Sequence, residues 1–428
     1  MFAILKISQI KQNISVGLSE LFPALTHKNF RYFWFGQFVS LIGSWMQSAG
    51  QAWLVLQITN SAFKLGVLNA AQFLPTLLLS VFAGVIVDRF PKRKIAVITQ
   101  TILMACAFVL AALIWTGNAQ YRYILILALV LGLAQALDMP ARQSMIIDFV
   151  GKKDLMNAIA LNSAIFNGTR IIGPAIAGII MATAGTGFAF FINGLSFIPI
   201  IIVLTRISTA NIAGNIASGE SVLSEASAGI KYIAKTPVLY ITLMLSMILC
   251  VFSQNFNTLI PALAKNVLNQ ESMGYGFLMS AMGLGALFGA LTLAVRNTGK
   301  PKYHVFLAGG GIMALFMLLI GFQHNYVLSA LLLAVVGWGM VTFNANANSI
   351  IQINAPDKMR GRITSILMLA QGGMIPIGSI YAGYTAQRFG SSFAYRLSGI
   401  IGIIAVTVTS FYYYDLKRKE SNKSSLQN

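Results

Sequence analysis

Acidic side chains are scarce in this chain. Asp and Glu together number 11 in 428 residues, against 30 Lys and Arg, and charged residues of all kinds make up only 10%. Histidine is rarer still, with 3, and cysteine stops at 2. Cys106 and Cys250 lie in separate apolar runs, so neither a disulfide framework nor a metal site is expected, and both read as small hydrophobes. His27, His304 and His324 fall at the ends of apolar runs and read as interfacial residues. No His-Glu-x-x-His, Gly-x-Ser-x-Gly or Gly-x-x-x-x-Gly-Lys sequence occurs, so the chain is not expected to be an enzyme or to hold a nucleotide. The first thirty residues are basic and lack a compact apolar core before a cleavage site, which argues against a cleavable signal peptide.

What is abundant is apolar surface. Hydrophobic residues make up 57% and the mean hydropathy is +0.74, values that exclude an ordinary soluble protein. The net charge of +19 would suggest nucleic acid in a soluble chain. Here most bases fall in loops of alternate parity, so the partner they imply is the lipid bilayer surface and not nucleic acid.

Apolar runs of membrane-spanning length number twelve between residues 31 and 415. The fold class is therefore an all-α polytopic membrane protein. The expected organisation is a cytoplasmic segment 1–30, a six-helix half 31–205, a linker with an interfacial helix 206–237, a second six-helix half 238–416 and a cytoplasmic tail 417–428. The first segment reads either as an amphipathic surface helix or as a tail. An even span count puts both termini on one side, and the lysine and arginine distribution makes that side the cytoplasm. The exceptions to the bias are Lys64, Arg122, Lys265, Arg388 and Arg396, at the other edge, and Arg170, inside a span. A repeat supports the division. A shift of 210 residues sets Gly66 on Gly276 and Gln47 on Asn257, and a shift of 205 sets Gly132 on Gly337. Two parallel repeats with a site between them near mid-membrane would follow.

The stretch Gly84-Val85-Ile86-Val87-Asp88-Arg89-Phe90-Pro91-Lys92-Arg93-Lys94 joins the second and third runs. It is too short for a domain and too charged for hydrocarbon, so it is expected to be a tight interfacial loop. A positive-inside anchor is the plain reading. The glycine-to-aspartate spacing followed by ordered bases exceeds what an anchor needs.

It resembles the signature loop of the major facilitator superfamily, G-x-L-a-D-r-x-G-r-K/R, with Gly84, Asp88, Arg89, Lys92 and Arg93 in the matching places and Pro91 replacing the second glycine. The degenerate second copy, Arg296 to Lys302, keeps the charge and loses the aspartate. In the fifth run, Gly173, Pro174 and Gly178 match the superfamily's antiporter motif G-x-x-x-G-P-x-x-G-G, while Thr169 and Ala177 replace two glycines. Together with Asp138-x-Pro140-x-Arg142 and Arg360-Gly361-Arg362, these segments resemble the drug:proton antiporter-3 branch, which includes the enterobactin exporter and macrolide efflux proteins. The resemblance implies the major facilitator fold in the bacterial cytoplasmic membrane and rocker-switch alternating access. It also implies export of small molecules driven by the proton gradient, with no cofactor.

Other residues carry readings of their own. Gln37, Ser40, Ser44, Gln47, Ser48 and Gln51 form one polar face of the first helix, which lines a cavity or bonds to neighbouring helices. Gly36, Gly43 and Gly50 beside it read as a packing seam. Gln254 and Asn257 are the counterparts of this face in the seventh run, and some asparagines among Asn344, Asn346 and Asn348 are expected to satisfy broken backbone. Asp138, the one acid expected within a span, either exchanges a proton or forms a salt bridge with Arg142 that lets both be buried, the second being slightly preferred. Arg170 is a partner of Asp138, a contact for an anionic substrate, or a donor to backbone carbonyls. With Gly151-Lys152-Lys153-Asp154, Arg360-Gly361-Arg362 reads as a latch between halves or as a pair of anchors. The first functional reading is a proton-coupled exporter of amphiphilic small molecules or drugs, acting as a monomer. A dedicated siderophore exporter is the second, and a membrane receptor or sensor the alternative from another class.

Overall fold

The structure, a computed structural model, describes residues 21–207, 222–296, 303–356 and 359–425. Among them every regular element is a helix. Ten segments are long and apolar enough to cross a bilayer. One of these, Tyr121–Thr183, would run about 95 Å if straight, about three hydrocarbon thicknesses. It breaks at Gly151, whose φ of 68° and ψ of −180° suit glycine alone, and so divides into limbs 121–150 and 152–183. Lys28–Thr59 is long enough to span but is made less apolar by its glutamines and serines. With the break counted and this helix added, the helices are consistent with twelve spans.

In chain order the helices are α1 (Lys28–Thr59), α2 (Ala62–Arg89), α3 (Lys92–Trp115), α4 (Tyr121–Thr183), α5 (Thr186–Arg206), α6 (Val222–Lys235), α7 (Pro237–Ser253), α8 (Phe256–Asn266), α9 (Ser272–Arg296), α10 (Tyr303–Ile320), α11 (Tyr326–Asn354), α12 (Arg360–Phe389) and α13 (Ser391–Ser425).

Three expectations are corrected. The charged stretch around Asp88 is no ten-residue loop: α2 runs to Arg89 and α3 starts at Lys92, leaving Phe90 and Pro91 between them. Phe90 is extended, as a residue before proline prefers, and this stops α2. The expected loop Gly151 to Asp154 is helical apart from the one glycine that turns the chain. The seventh run is broken, ending as α7 at Ser253 and resuming as α8 at Phe256. The broken backbone therefore lies here and not in α11, which is continuous, and the Asn255 side chain donates to the Val251 carbonyl at 2.6 Å.

Of the linker 206–237, residues 208–221 lie outside the described ones. The helix expected after them is α6, whose Ile233 is buried with Leu239, Ile363 and Leu367. Most of the expected segment 1–30 also lies outside. Residues 21–27 pack on the second limb of α4 through Ala24 N to Asn157 Oδ1 at 3.2 Å and a hydrogen bond between His27 Nε2 and Asp154 Oδ2 at 2.7 Å.

Packing reproduces the internal repeat contact by contact. Gly66 on α2 lies against Ser379 and Gly383 on α12, and Gly276 on α9 lies against Pro174 and Gly178 on α4. The shift of 210 carries Gly66 to Gly276, and the shift of 205 carries Gly178 to Gly383. In the same way Gly132 faces the Gln72 carbonyl and Gly337 faces that of Met282. At each place a Cβ would collide with backbone, so small residues let two helices meet main chain to main chain. Within the first six spans Gly36 lies against the Ile200 backbone, while Gly43 and Gly50 make room for side chains of α5, those of Asn193 and Ser196 and of Phe190.

Candidate functional site: a cavity between the two halves

The two ends of α2, Asn60 and Pro91, give names to the two ends of the molecule. Hydrogen bonds between the early and late helices gather toward the Asn60 end. Lys265 Nζ donates to the Leu56 carbonyl at 2.7 Å and to Asn60 Oδ1 at 2.6 Å. The Ala62 amide donates to Gln387 Oε1 at 2.8 Å, and Trp53 stacks on Tyr275 with ring centroids 5.5 Å apart. The paired glycine contacts lie next inward, and after them Asn69 Nδ2 to Thr258 Oγ1 at 3.0 Å and Ser280 Oγ to the Ile171 carbonyl at 2.6 Å. On α4 the row Gly178, Pro174, Ile171 touches α9 in succession. About one turn beyond Ile171, Gly168 has nothing within 4 Å of where its side chain would begin, so this side of α4 is uncovered there.

On the Pro91 side of this seal lies a cavity of about 270 Å³. Its apolar lining includes Trp45, Phe73, Met279, Met282 and Met340. Its polar lining is supplied by Gln254, Asn255, Asn257 and Thr258 around the break between α7 and α8, with Asn69, which bonds to Thr258. The break matters because it turns consecutive polar residues toward one space, which an unbroken helix would spread around its circumference. Arg170 is the only charged residue lining the cavity. Its Nη2 is shut off from water without a partner, and no hydrogen bond or ion pair engages any other atom of its side chain.

Of the polar residues named from the sequence, Gln254 and Asn257 line the cavity. The stripe on α1 does not. Gln37 donates to Asn162 at 2.6 Å, Ser40 to Gln100 at 3.2 Å, Ser44 to its own Ser40 carbonyl at 2.9 Å, and Gln47 accepts from Asn193. Gln51 is buried, and its amide atoms have no partner. The stripe is thus turned into its own half, where it bonds to α3, α4 and α5. Trp45, a fraction of a turn away on the same helix, reaches the cavity instead.

Asp138 is buried away from the cavity and fully engaged. Thr99 Oγ1 at 2.8 Å and Gln100 Nε2 at 2.9 Å donate to its Oδ1, and Arg142 reaches its Oδ2 at 2.6 Å. It is not paired with Arg170. In the opening motif, Lys92 bonds to the Ser144 carbonyl and to Asp148 at 3.3 and 3.4 Å. Arg93 donates to the Leu204 carbonyl at 2.6 Å and to that of Thr205, covering the C-terminal carbonyls of α5. Arg89 is exposed; the side chains of Gly84 and Asp88 lie outside the described ones. In the antiporter-like motif, Gly173 packs on α1 at Ile42 and Trp45, and Pro174 and Gly178 form the contact with Gly276.

Thr258 and Met282 could not be picked out from composition, because a cavity wall is set by which helices part. The proline-free break at Gln254 has no sequence signal beyond its run of amides.

A family model described as transmembrane secretion effector matches residues 19–428. The chain is 28% identical to the staphyloferrin A transporter of Staphylococcus aureus (strain NCTC 8325 / PS 47), over 92% of this chain and 98% of that one. It is 27% identical to the multidrug efflux pump Tap of Mycolicibacterium fortuitum, over 86% and 92%. To macrolide efflux protein A of Streptococcus pyogenes it is 20% identical, over 90% and 96%. Among solved structures, the nucleoside transporter NupG superposes with a TM-score of 0.70 at 12% identity, over 90% of this chain and 99% of that one. A bacterial homologue of the human lysosomal transporter Spinster, inward-facing and unoccupied, gives 0.70 at 12% identity, over 91% and 96%. These two share the fold.

Proposed function

Since the chain belongs to the transmembrane secretion effector family of the major facilitator superfamily, we propose that it exports amphiphilic small molecules by alternating access, drawing on the proton gradient. The observation that carries this reading is a cavity built from both halves and sealed at the Asn60 end, with α4 uncovered at Gly168 on its other side. A lining that mixes apolar side chains with amides suits compounds with both kinds of surface. The orientation proposed from the lysine and arginine distribution, with both termini in the cytoplasm of a bacterial cell, makes the Pro91 end the inner one. The cavity is then loaded from inside. The protein acts as a monomer, since each seal and the cavity are made within one chain.

The test is accumulation of drugs and dyes in cells lacking their main efflux systems, with and without this protein, before and after collapse of the proton gradient. Lower accumulation that rises on collapse is expected. Unchanged accumulation across a broad panel would overturn a multidrug reading. It would leave the second one, a dedicated siderophore exporter, which the similarity to a staphyloferrin A transporter along nearly its whole length supports. Siderophore secretion under iron limitation, compared between the parent strain and a deletion strain, tests that.

A further inference from the structure

An arginine is charged at any working pH, and a buried charge is costly unless something pairs with it. Arg170 has no such partner among the described residues. The one buried carboxylate described within the spans, Asp138, is taken up by Thr99, Gln100 and Arg142. No acid lines the cavity, and no described carbonyl accepts from the guanidinium. Arg170 instead lines a cavity whose other lining residues include Gln254, Asn257, Met279, Met282 and Trp45. Within a membrane-spanning bundle, a lone cation facing an internal cavity marks the place where a ligand completes the charge balance.

We propose that Arg170 is the receptor for the anionic head of the substrate, so that the protein prefers amphiphiles bearing a carboxylate. This rests on the export reading and deepens it. The guanidinium takes the carboxylate in a forked pair of hydrogen bonds. The amides of Gln254 and Asn257 serve hydroxyl or carbonyl groups next to it. The methionines, whose unbranched thioethers fit irregular shapes, hold the apolar body.

The experiment compares three fluorescent probes on one scaffold: dansyl-aminoundecanoic acid, its primary amide, and the corresponding primary amine. Binding to the full-length protein in nanodiscs is read from dansyl fluorescence, with empty nanodiscs subtracted. The acid is expected to bind about tenfold or more tightly than the amide, the worth of a charge-assisted hydrogen bond. Arg170→Gln should abolish that difference by weakening the acid far more than the amide, and Arg170→Lys should keep part of it. Equal affinity of acid and amide in the parent protein, or an undiminished preference in Arg170→Gln, would overturn the proposal. Should Arg170→Gln bind nothing, Arg170→Lys decides: a retained preference supports the proposal and a lost one overturns it. Transport of the same probes into everted vesicles separates the two readings. Export of amide and amine with no preference for the acid would remove this inference and leave export standing. Selective binding of the acid through Arg170 with no export of any probe would do the reverse.

Discussion

A buried carboxylate stays ionised at little cost only while its oxygens are bonded, and Asp138 has three donors on two oxygens. That geometry favours the salt bridge over a proton carrier. Asp138→Asn is therefore expected to destabilise the protein by about 3–5 kcal/mol, because Arg142 is left buried without a counter-charge. Thermal unfolding in detergent should show the loss. The pair Asp138→Asn with Arg142→Met should recover most of it, and a double mutant no more stable than the single one would contradict the assignment. Thr99→Val, which removes one neutral donor, should cost about 1 kcal/mol in the same assay. Arg170 is the opposite case, a charge with no partner among the described residues. Both residues stood out in the sequence as ionisable groups inside spans. That one is paired and the other is not depends on which helices face each other, and no spacing within a single helix encodes that.

Elements meet here largely through glycine. The 205 and 210 shifts were legible as weak matches between apolar helices, and the contacts give them physical content: Gly66 with Gly383, and Gly276 with Gly178. Gly276→Val would drive a side chain into the Pro174 carbonyl, so α4 and α9 should be held apart. A cysteine introduced at Met279, in a background lacking Cys106 and Cys250, should then react faster with an impermeant maleimide added from the Asn60 side. Unchanged labelling would show that the contact does not seal that end. Gly151 is a different kind of glycine, needed for its dihedral angles and with open space around it. Gly151→Ala is expected to cost about 1–3 kcal/mol of stability through backbone strain, read by the same unfolding assay. An all-helical membrane fold with a charged connection between the second and third spans could be anticipated from hydropathy, but not that this connection shrinks to Phe90 and Pro91. The α7–α8 break and the inward turn of the α1 stripe could not, since a polar face bonding to neighbours and one facing water have the same sequence pattern.

At the scale of the whole molecule, Lys265 is a bolt between the halves. It adds a second donor to the Leu56 carbonyl, which already accepts from the Asn60 amide at 3.1 Å, and it also holds the Asn60 side chain. Lys265→Met should weaken the closed state at this end by about 1–3 kcal/mol, the worth of hydrogen bonds to a charged group. Spin labels placed at Gly117 and Gln323, in loops of the two halves at that end, should report a larger population at long separation. An unaltered distance distribution would show that the glycine contacts alone hold it shut. Transport should become slower or less tightly coupled, since a door that opens at the wrong time lets the gradient leak.

The paired glycine contacts also have a mechanical meaning. They lie near one end of long helices, and from Gly66 to the end of α2 at Arg89 the helix, with Pro75 inside it, extends about 35 Å at ~1.5 Å per residue. Taken as a fulcrum, the contact turns a tilt of about 10° into a sweep of about 6 Å at the far tip. The short arm, of a turn or so, moves by about 1 Å for the same tilt. The Pro91 end can thus gape or narrow by leverage alone, whereas the Asn60 end opens only when the fulcrum itself is relocated.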